Sequence, residues 1–333
     1  MKKIFIDPEK SFFKANLHCH STNSDGNMTV EEIKEHYKAN GYSIIAFTDH
    51  EHLIDNSHLN DGDFLAITAC EVAIKEFDKL STLKKMDMKV CHLNFYSQNP
   101  SNIDTPCYNS VYDHFVNDKI KDKICHTCGE YKREYSSAGI SKMIEDANKN
   151  GFLVSYNHPR WSLENATDYL GYKNLWAVEI YNHSCWQEGI CEYDINVYDD
   201  FLRRDEKLAC IAGDDNHTID NTCGGYTVIN AEKLDYDTVF DALREHNIYT
   251  STGPIIRGLY IENNVAHLTF EKGEYAIMST KGRRTVKKLA ENSNGENMVE
   301  FRILPDEDGY VRFDVVDKSG KRANTCAYFL EDM

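Results

Sequence analysis

The sequence predicts an α/β protein with a mostly parallel sheet, open or closed into a barrel, followed by a small antiparallel β domain. Up to about residue 250, short apolar runs alternate with amphipathic stretches of helical length, as in strands joined by crossover helices. After Ser251-Thr-Gly-Pro254 the helical stretches stop, and short alternating runs separated by turn residues follow. We therefore expect a first domain over residues 1–253 and a second over residues 254–333.

Eight apolar runs are the strand candidates of the first domain. They are Phe13–His18, Ser43–Thr48, Phe64–Ala69, Val90–Phe95, Phe152–Tyr156, Trp176–Tyr181, Leu208–Ala212 and Tyr226–Asn230. Four periodic stretches are the helix candidates: Thr29–Asn40, Ile140–Asn150, Tyr193–Arg204 and Tyr236–His246. The first of these begins with a capping box, because Thr29 can cap the first turn and Glu32 can reach back to it.

A segment of about residues 97–137 interrupts this alternation. It is polar and rich in tyrosine, and long loops of this kind in a compact domain are usually functional or mobile. We interpret it as an insertion that could act as a lid. It contains Cys125-His-Thr-Cys128, which is either half of a structural metal site lacking two further ligands or simply a pair of cysteines.

Composition and charge narrow the class of protein. The net charge of −17 argues against a general nucleic-acid binder, which needs a basic face. The 11 cysteines are odd in number and scattered through apolar runs, as expected for reduced, buried residues. The sequence shows no signal peptide and no apolar stretch near the length of a membrane span. We predict a soluble, cytoplasmic protein without a membrane or stable nucleic-acid partner, in an oligomeric state that the sequence leaves open.

Potential metal ligands recur at the ends of the predicted strands. Five histidines stand in four short clusters, and two single candidates, Glu71 and His92, lie between the second and third clusters. The candidates are His18, His20, Asp25, His50, Glu71, His92, His158, Asp215 and His217. His18 and His20 are two residues apart, as are Asp215 and His217, and in a strand this spacing places both side chains on one face. Barrel enzymes gather their active sites at such strand ends, so we expect one shared metal site.

This ordered set of motifs resembles the polymerase and histidinol phosphatase (PHP) domain family. The resemblance covers about residues 10–253 and implies a distorted (β/α)7 barrel with two or three divalent metal ions. The sequence Tyr249-Thr-Ser-Thr-Gly-Pro254, followed by a small β domain, resembles a two-domain subgroup of metal-dependent phosphoesterases. Mixed imidazole and carboxylate ligands suit zinc, manganese or iron.

The resemblance also implies three metal positions. The first would be held by His18, His20, Glu71 and Asp215. The second would be held by Glu71, His92 and His158, with Glu71 bridging. The third would be held by Asp25, His50 and His217. Two positions depart from common family residues: Asp25 stands where some relatives have histidine, and Asp214 stands where serine is common.

Three further residues have candidate roles, each with an ordinary structural alternative. Arg160, two residues after His158, could bind a phosphate bidentately or form a structural salt bridge. His183 could protonate a leaving group or be a rim histidine without a role. Asp214 could hydrogen-bond a ligand histidine or be a turn residue.

The resulting functional hypothesis is a metal-dependent phosphoesterase. It would hydrolyse a small phosphomonoester or phosphodiester by attack of a metal-bound hydroxide. The alternative is a metal-dependent hydrolase of a carbamate, amide or ester bond, because the same nucleophile also attacks carbonyl carbon. A non-catalytic binding protein is disfavoured because none of the family's ligand positions is missing.

Overall fold

The computed structural model describes residues 2–76, 88–190, 193–293 and 296–333. Every strand candidate of the first domain forms a strand. The first ten strands are β1 (Lys2–Ile6), β2 (Ser11–Asn16), β3 (Ile44–Phe47), β4 (Leu65–Lys75), β5 (Val90–Ser97), β6 (Phe152–Tyr156), β7 (Ala177–Asn182), β8 (Ala209–Gly213), β9 (Tyr226–Ala231) and β10 (Ile248–Ser251). The remaining strands are β11 (Ile255–Glu262), β12 (Val265–Glu271), β13 (Tyr275–Thr280), β14 (Thr285–Leu289), β15 (Glu291–Ser293), β16 (Glu296–Arg302), β17 (Tyr310–Val316), β18 (Arg322–Thr325) and β19 (Tyr328–Phe329).

The helices are mostly short. They are α1 (Val30–Ala39), α2 (Ser137–Lys149), α3 (Ala166–Tyr169), α4 (His183–Gln187), α5 (Ile195–Leu202), α6 (Tyr236–Arg244) and α7 (Pro305–Asp308). The predicted capping box of α1 is confirmed: Thr29 Oγ1 accepts from the Glu32 backbone N–H at 3.2 Å, and Glu32 Oε2 accepts from the Thr29 N–H at 2.8 Å. None of the helices in the described ranges is both long and apolar enough to cross a membrane. The cytoplasmic location stays a prediction.

The large sheet is mixed rather than mostly parallel. Its order is β14-β13-β17-β18-β10-β9-β2-β3-β4-β5-β6-β7-β8. The pairs within β2-β3-β4 and within β6-β7-β8 are parallel, whereas β5 is antiparallel to both β4 and β6, and β9 is antiparallel to β2. The sequence did not predict these antiparallel pairs, because an apolar run buried on both faces has the same pattern in a parallel and in an antiparallel strand.

The strand pairings of the described residues do not close this sheet into a barrel, since the path ends at β8. The segments beyond two strand ends nevertheless meet. Cys19 and Asn216 form an isolated parallel bridge between the segment after β2 and the segment after β8. This bridge brings the carboxyl ends of the first and last parallel strands together.

The C-terminal part contains the antiparallel strands that the sequence predicts. A second sheet has the order β1-β11-β12-β16-β15, and its first strand comes from the start of the chain. Buried and partly exposed residues alternate along β12 and β13, as expected for sheets with one covered face. The large sheet continues into this part because β10 pairs with both β9 and β18. The division at residues 253 and 254 stays a prediction.

A buried ion pair anchors the segment between β5 and α2. This segment contains only short 3₁₀ helices, at Ser110–Phe115 and Lys121–Lys123. Near its end, the Arg133 guanidinium donates to both carboxylate oxygens of Glu51, at 3.0 and 2.6 Å. It also donates to the Ala73 carbonyl at 2.7 Å, and two of its nitrogens donate to the Cys107 carbonyl at 3.1 and 2.9 Å. Arg133 therefore holds the segment against the loop after β3 and against β4.

Candidate metal centre

The structure brings all nine predicted ligands together at one end of the large sheet. We call this set the nine-residue cluster: His18, His20, Asp25, His50, Glu71, His92, His158, Asp215 and His217. It contains three overlapping groups, and within each group the potential ligand atoms lie within 4.8 Å of one another. Two groups have the members that the resemblance implies for the first and second metal positions, and the third group adds His20 to Asp25, His50 and His217.

The first group joins the segments after β2 and β8 to Glu71. Nε2 of His18 lies 3.3 Å from Oε1 of Glu71 and 3.3 Å from Oδ1 of Asp215. Nε2 of His20 lies 3.1 Å from the same Asp215 oxygen and 3.5 Å from Oε2 of Glu71. Two imidazoles and two carboxylates thus converge on one point in the protein interior.

The second group shares the same glutamate. Nδ1 of His92 lies 3.1 Å from Oε1 of Glu71, and Nε2 of His158 lies 3.2 Å from that oxygen. Glu71 is therefore common to two groups, and its bridging role stays a prediction. It lies within β4 rather than after the strand, because β4 continues to Lys75.

The third group lies nearest to solvent. Asp25 stands between two histidines, with Oδ2 3.6 Å from Nε2 of His50 and Oδ1 3.4 Å from Nε2 of His217. The Asp25 and His217 side chains are 29% and 34% exposed, whereas His20, the fourth member, is fully buried. This group is therefore the part of the cluster most accessible to a substrate.

Backbone hydrogen bonds fix the loops that carry the ligands. The Asp215 N–H donates to the His18 carbonyl at 2.9 Å, and the His20 N–H donates to the Asn216 carbonyl at 3.2 Å. His158 and Asp215 have φ values of +24° and +52°, a region that non-glycine residues seldom occupy. Such strained residues concentrate at functional sites, where the surrounding structure holds them in place.

The histidine nitrogens show that the cluster suits bound cations. Nε2 of His18 and both ring nitrogens of His20 are buried and have no hydrogen-bond partner. Leaving a buried polar atom unpaired costs about 1–3 kcal/mol, and these atoms face carboxylate oxygens. Burial raises the pKa of a carboxyl, but His92 and His18 hold the pKa of Glu71 well below its usual range, and His18 and His20 do the same for Asp215. Ionised carboxylates beside unpaired imidazoles form a suitable ligand set for divalent cations.

Glu179, for which the sequence suggested no role, supports two of the cluster histidines. Its Oε1 lies 2.9 Å from Nδ1 of His18. Its Oε2 accepts from the His158 backbone N–H and from Asn182 Nδ2, both at 3.0 Å. Glu179 is 1% exposed within β7. A single acid inside an otherwise apolar run was the available signal, because a buried charge requires partners.

Asp214 does not bind a ligand histidine. Its carboxylate accepts hydrogen bonds from the Tyr37 hydroxyl at 2.8 Å and from the backbone N–H groups of Cys223, Gly224 and Gly225 at 2.7, 3.0 and 3.0 Å. The alternative role of a turn residue therefore applies. Asp214 fixes the loop that leads from β8 into β9.

A cavity of about 860 Å³ opens over the cluster. Seven members of the nine-residue cluster line it: Asp25, His50, Glu71, His92, His158, Asp215 and His217. Arg160 and His183 are not among its lining residues. Arg160 is exposed, and the His183 ring contacts the Tyr181 hydroxyl at 3.0 Å and stacks on Trp186. The structure thus places both residues outside the cavity that the cluster shares.

The cysteine pair Cys125 and Cys128 is not among the residues that line this cavity. No group of metal-binding side chains found in the described part of the chain includes either cysteine. Lys287 and Lys288 are also absent from the lining and lie on β14, an exposed edge strand of the large sheet. Lysines on an edge strand discourage pairing with another chain.

Residues 16–249 match the model of the PHP domain. The chain belongs to the PHP domain family. The match begins just before His18 and ends within β10, so it contains every member of the nine-residue cluster. No curated protein matches the chain.

Several solved structures are similar to parts or most of this PHP protein, at low sequence identity. A two-domain protein from Bacteroides vulgatus, described as containing a predicted PHP-like metal-dependent phosphoesterase, is 12% identical with a TM-score of 0.43, covering 98% of this chain and 97% of its own. An amidohydrolase from Chromobacterium violaceum with bound sulfate is 14% identical (TM-score 0.40), covering 70% and 96%. The lesion-specific endonuclease PfuEndoQ from Pyrococcus furiosus is 13% identical (TM-score 0.41), covering 84% and 64%.

Proposed function

We propose that this PHP protein is a metal-dependent phosphoesterase that hydrolyses a small phosphomonoester or phosphodiester. The observation that carries the proposal is the convergence of three potential ligand groups around Glu71 and His20, with buried imidazole nitrogens that lack hydrogen-bond partners. A site that held no cation would leave these polar atoms unsatisfied at a cost in stability. Membership of the PHP family supports the same interpretation.

Each group would hold one divalent ion, so we propose two or three ions of zinc, manganese or iron. The ligands are those of the nine-residue cluster, with Glu71 shared by the first and second positions and His20 adding to the third. When bound, such ions supply a nucleophile at neutral pH and neutralise charge on a phosphoryl group. Glu71 and Asp215 contribute ionised carboxylates, and Glu179 orients His18.

The third group and the cavity define where a substrate would bind. Asp25 and His217 are the more exposed members of the cluster and line the cavity together with His50. A phosphoryl group there would lie beside all three ion positions. Arg160 stays a proposed phosphate contact, supported by its place two residues after His158. His183 stays a proposed proton donor, although its ring already contacts Tyr181 and Gln187.

The family fold carries a further proposal about architecture. We propose that β2 to β8 form the distorted (β/α)7 barrel, with its seam at the bridge between Cys19 and Asn216. The hydrogen bonds between the Asp215 and His18 backbones and between the His20 and Asn216 backbones support this seam.

A second candidate function is hydrolysis of a carbamate, amide or ester bond. The composition of the cavity favours it: among the described lining residues, Lys75 is the single lysine or arginine, and many of the others are apolar. Because a carbonyl substrate needs fewer cationic contacts than a phosphate does, such a cavity could also take a carbonyl substrate.

Turnover of matched substrates separates the two functions. The protein would be stripped of metal, reloaded with Zn²⁺, Mn²⁺ or Fe²⁺, and assayed against phosphomonoesters, phosphodiesters, aryl carbamates and anilides. Phosphoesterase action predicts metal-dependent cleavage of phosphoesters that is lost in Asp215→Asn and retained in Glu188→Gln, an exposed control. Cleavage of carbamates or anilides with none of any phosphoester would contradict the proposal.

A further inference from the structure

One wall of the cavity consists of large apolar side chains that are exposed to solvent. Val111, Phe115, Trp161 and Leu163 line the cavity and are 65%, 43%, 39% and 48% exposed. Among the described residues, these four are nearly half of the large hydrophobic side chains that are exposed. Contiguous exposed apolar surface around a concave site is typical of ligand-binding grooves. We call these four residues the apolar wall.

The apolar wall stands directly beside the cluster. The Phe115 ring centroid is 5.0 Å from that of His50. The Trp161 ring lies 5.3 Å from His92 and 5.1 Å from His158. These two aromatic rings therefore border the part of the cavity next to the cluster.

The two sides of the wall are held in place before any ligand binds. On the side formed by Val111 and Phe115, Asn117 anchors the segment. Its backbone N–H donates to the Asn23 carbonyl at 2.9 Å, and its Nδ2 donates to the Thr22 carbonyl at 2.7 Å. On the other side, Leu163 has a φ of +59°, which is strained for a leucine. Strained residues of this kind recur at ligand clamps.

Apart from ions at the cluster, the cavity offers little positive charge to a second anionic group on the substrate. Of the described acidic lining residues, Asp25, Glu71 and Asp215 belong to the cluster and Glu51 is paired with Arg133, and Lys75 is the one lysine or arginine among the described lining residues. Ions at the cluster would neutralise one anionic group. A polyphosphate or a second phosphate would have to rest against the apolar wall, where its charge would lose hydration without a partner.

From these contacts we infer that the substrate carries one hydrolysable group for the cluster and a flat apolar group, most simply an aromatic ring, that packs between Phe115 and Trp161. This inference rests on the proposed hydrolytic function and specifies its substrate class. A volume of about 860 Å³ accommodates such a molecule, since pockets for drug-sized ligands span about 300–1,000 Å³. Sugar phosphates and polyanionic nucleotides fit the wall poorly.

Four ligands in two matched pairs test the inference on the zinc-loaded protein by isothermal titration calorimetry. The pairs are benzylphosphonate with methylphosphonate, and phenylacetohydroxamate with acetohydroxamate. Each pair has one head group that can reach the cluster and differs in its tail. Burial of the ring predicts that the benzyl member binds at least about tenfold more tightly.

Two wall variants and one matched control sharpen the test. Phe115→Ala and Trp161→Ala should each remove most of the benzyl advantage while leaving methyl binding and zinc content unchanged. Leu289→Ala removes an exposed apolar side chain on β14 that is not among the lining residues of the cavity, and it should retain the advantage. Unchanged zinc content separates loss of the wall from loss of the metal centre.

The outcomes separate this inference from the proposed function. Equal binding of benzyl and methyl members, no binding of either benzyl ligand, or a benzyl advantage that survives both wall variants would overturn the inference. A benzyl advantage confined to the hydroxamate pair would uphold the wall but contradict phosphoester chemistry. Tight phosphonate binding without a benzyl advantage would support phosphoester chemistry but overturn the inference about the apolar wall.

Discussion

The carboxylate of Glu179 lies 2.9 Å from Nδ1 of His18, which leaves Nε2 of that histidine facing Glu71 and Asp215. Acids that hold the far nitrogen of a ligand histidine fix the tautomer and the ring orientation. The same acid accepts a hydrogen bond from the His158 backbone, so it positions two cluster histidines from different strands.

We expect Glu179→Gln to weaken metal binding by about 10- to 100-fold, because outer-shell partners of ligand histidines commonly contribute this much. Competition with a chromophoric chelator measures the affinity for Zn²⁺. Glu188→Gln changes an exposed glutamate nearby and should bind Zn²⁺ like the unaltered protein. Equal affinities in the two variants would rule out the orienting role of Glu179.

Glu71 and Asp25 should affect metal content unequally. Glu71 belongs to two of the ligand groups and Asp25 to one. Glu71→Gln should therefore retain less metal per chain than Asp25→Asn, and its hydrolytic rate should fall at least about a hundredfold. Elemental analysis after gel filtration gives the metal content. A larger loss in Asp25→Asn would contradict the bridging position of Glu71.

The buried pair of Arg133 and Glu51 should contribute strongly to stability. Both side chains are at most 2% exposed, and the guanidinium also donates to the Ala73 and Cys107 carbonyls. Arg133→Met leaves the Glu51 charge buried and unpaired, which costs about 3–5 kcal/mol. Urea unfolding measures the change. Lys132→Met alters the exposed neighbour, and a similar loss in that control would show that the pair is not responsible.

His246 should make stability depend on pH. Burial lowers the pKa of His246 from 6.5 to about 4. Because the unfolded chain binds a proton near pH 6.5 and the folded protein does not, stability should fall as the pH decreases from about 6.5 to about 4. His246→Asn tolerates the φ of +58° at this position. In this variant, the free energy of unfolding should fall by about 1–3 kcal/mol less over this pH range, as measured by denaturation series at several pH values. Parallel curves for both proteins would contradict the assignment.

The convergence of the cluster histidines was predictable because their pattern is local. His18 and His20 keep the two-residue period of the strand they follow, and Asp215 and His217 repeat it after β8. The direction of β5 was not predictable, since burial on both faces removes the alternation that would reveal its neighbours. His92 still reaches the cluster because it lies opposite Ala73, two residues beyond Glu71 on β4.

The apolar wall was not predictable from the sequence, because it forms through contacts between residues that are far apart along the chain. Val111 and Phe115 come from a polar segment without periodicity. Their segment is fixed by Asn117, which donates to the Thr22 and Asn23 carbonyls, and by Arg133, which donates to Glu51, 82 positions earlier in the chain. Sequence spacing therefore predicts which residues could bind metal, and long-range packing decides which other residues border the cavity.

The pairing of β1 with β11 has a consequence for how the chain assembles during synthesis. Lys2 lies opposite Glu262, and Ile6 lies opposite Leu259. Because β1 is made before β11, it must wait for a partner that is made about 250 residues later. Until then its edge is unpaired, and unpaired edges are where nascent chains aggregate. Joining β11–β19 ahead of β1 in a circular permutant would shorten that wait.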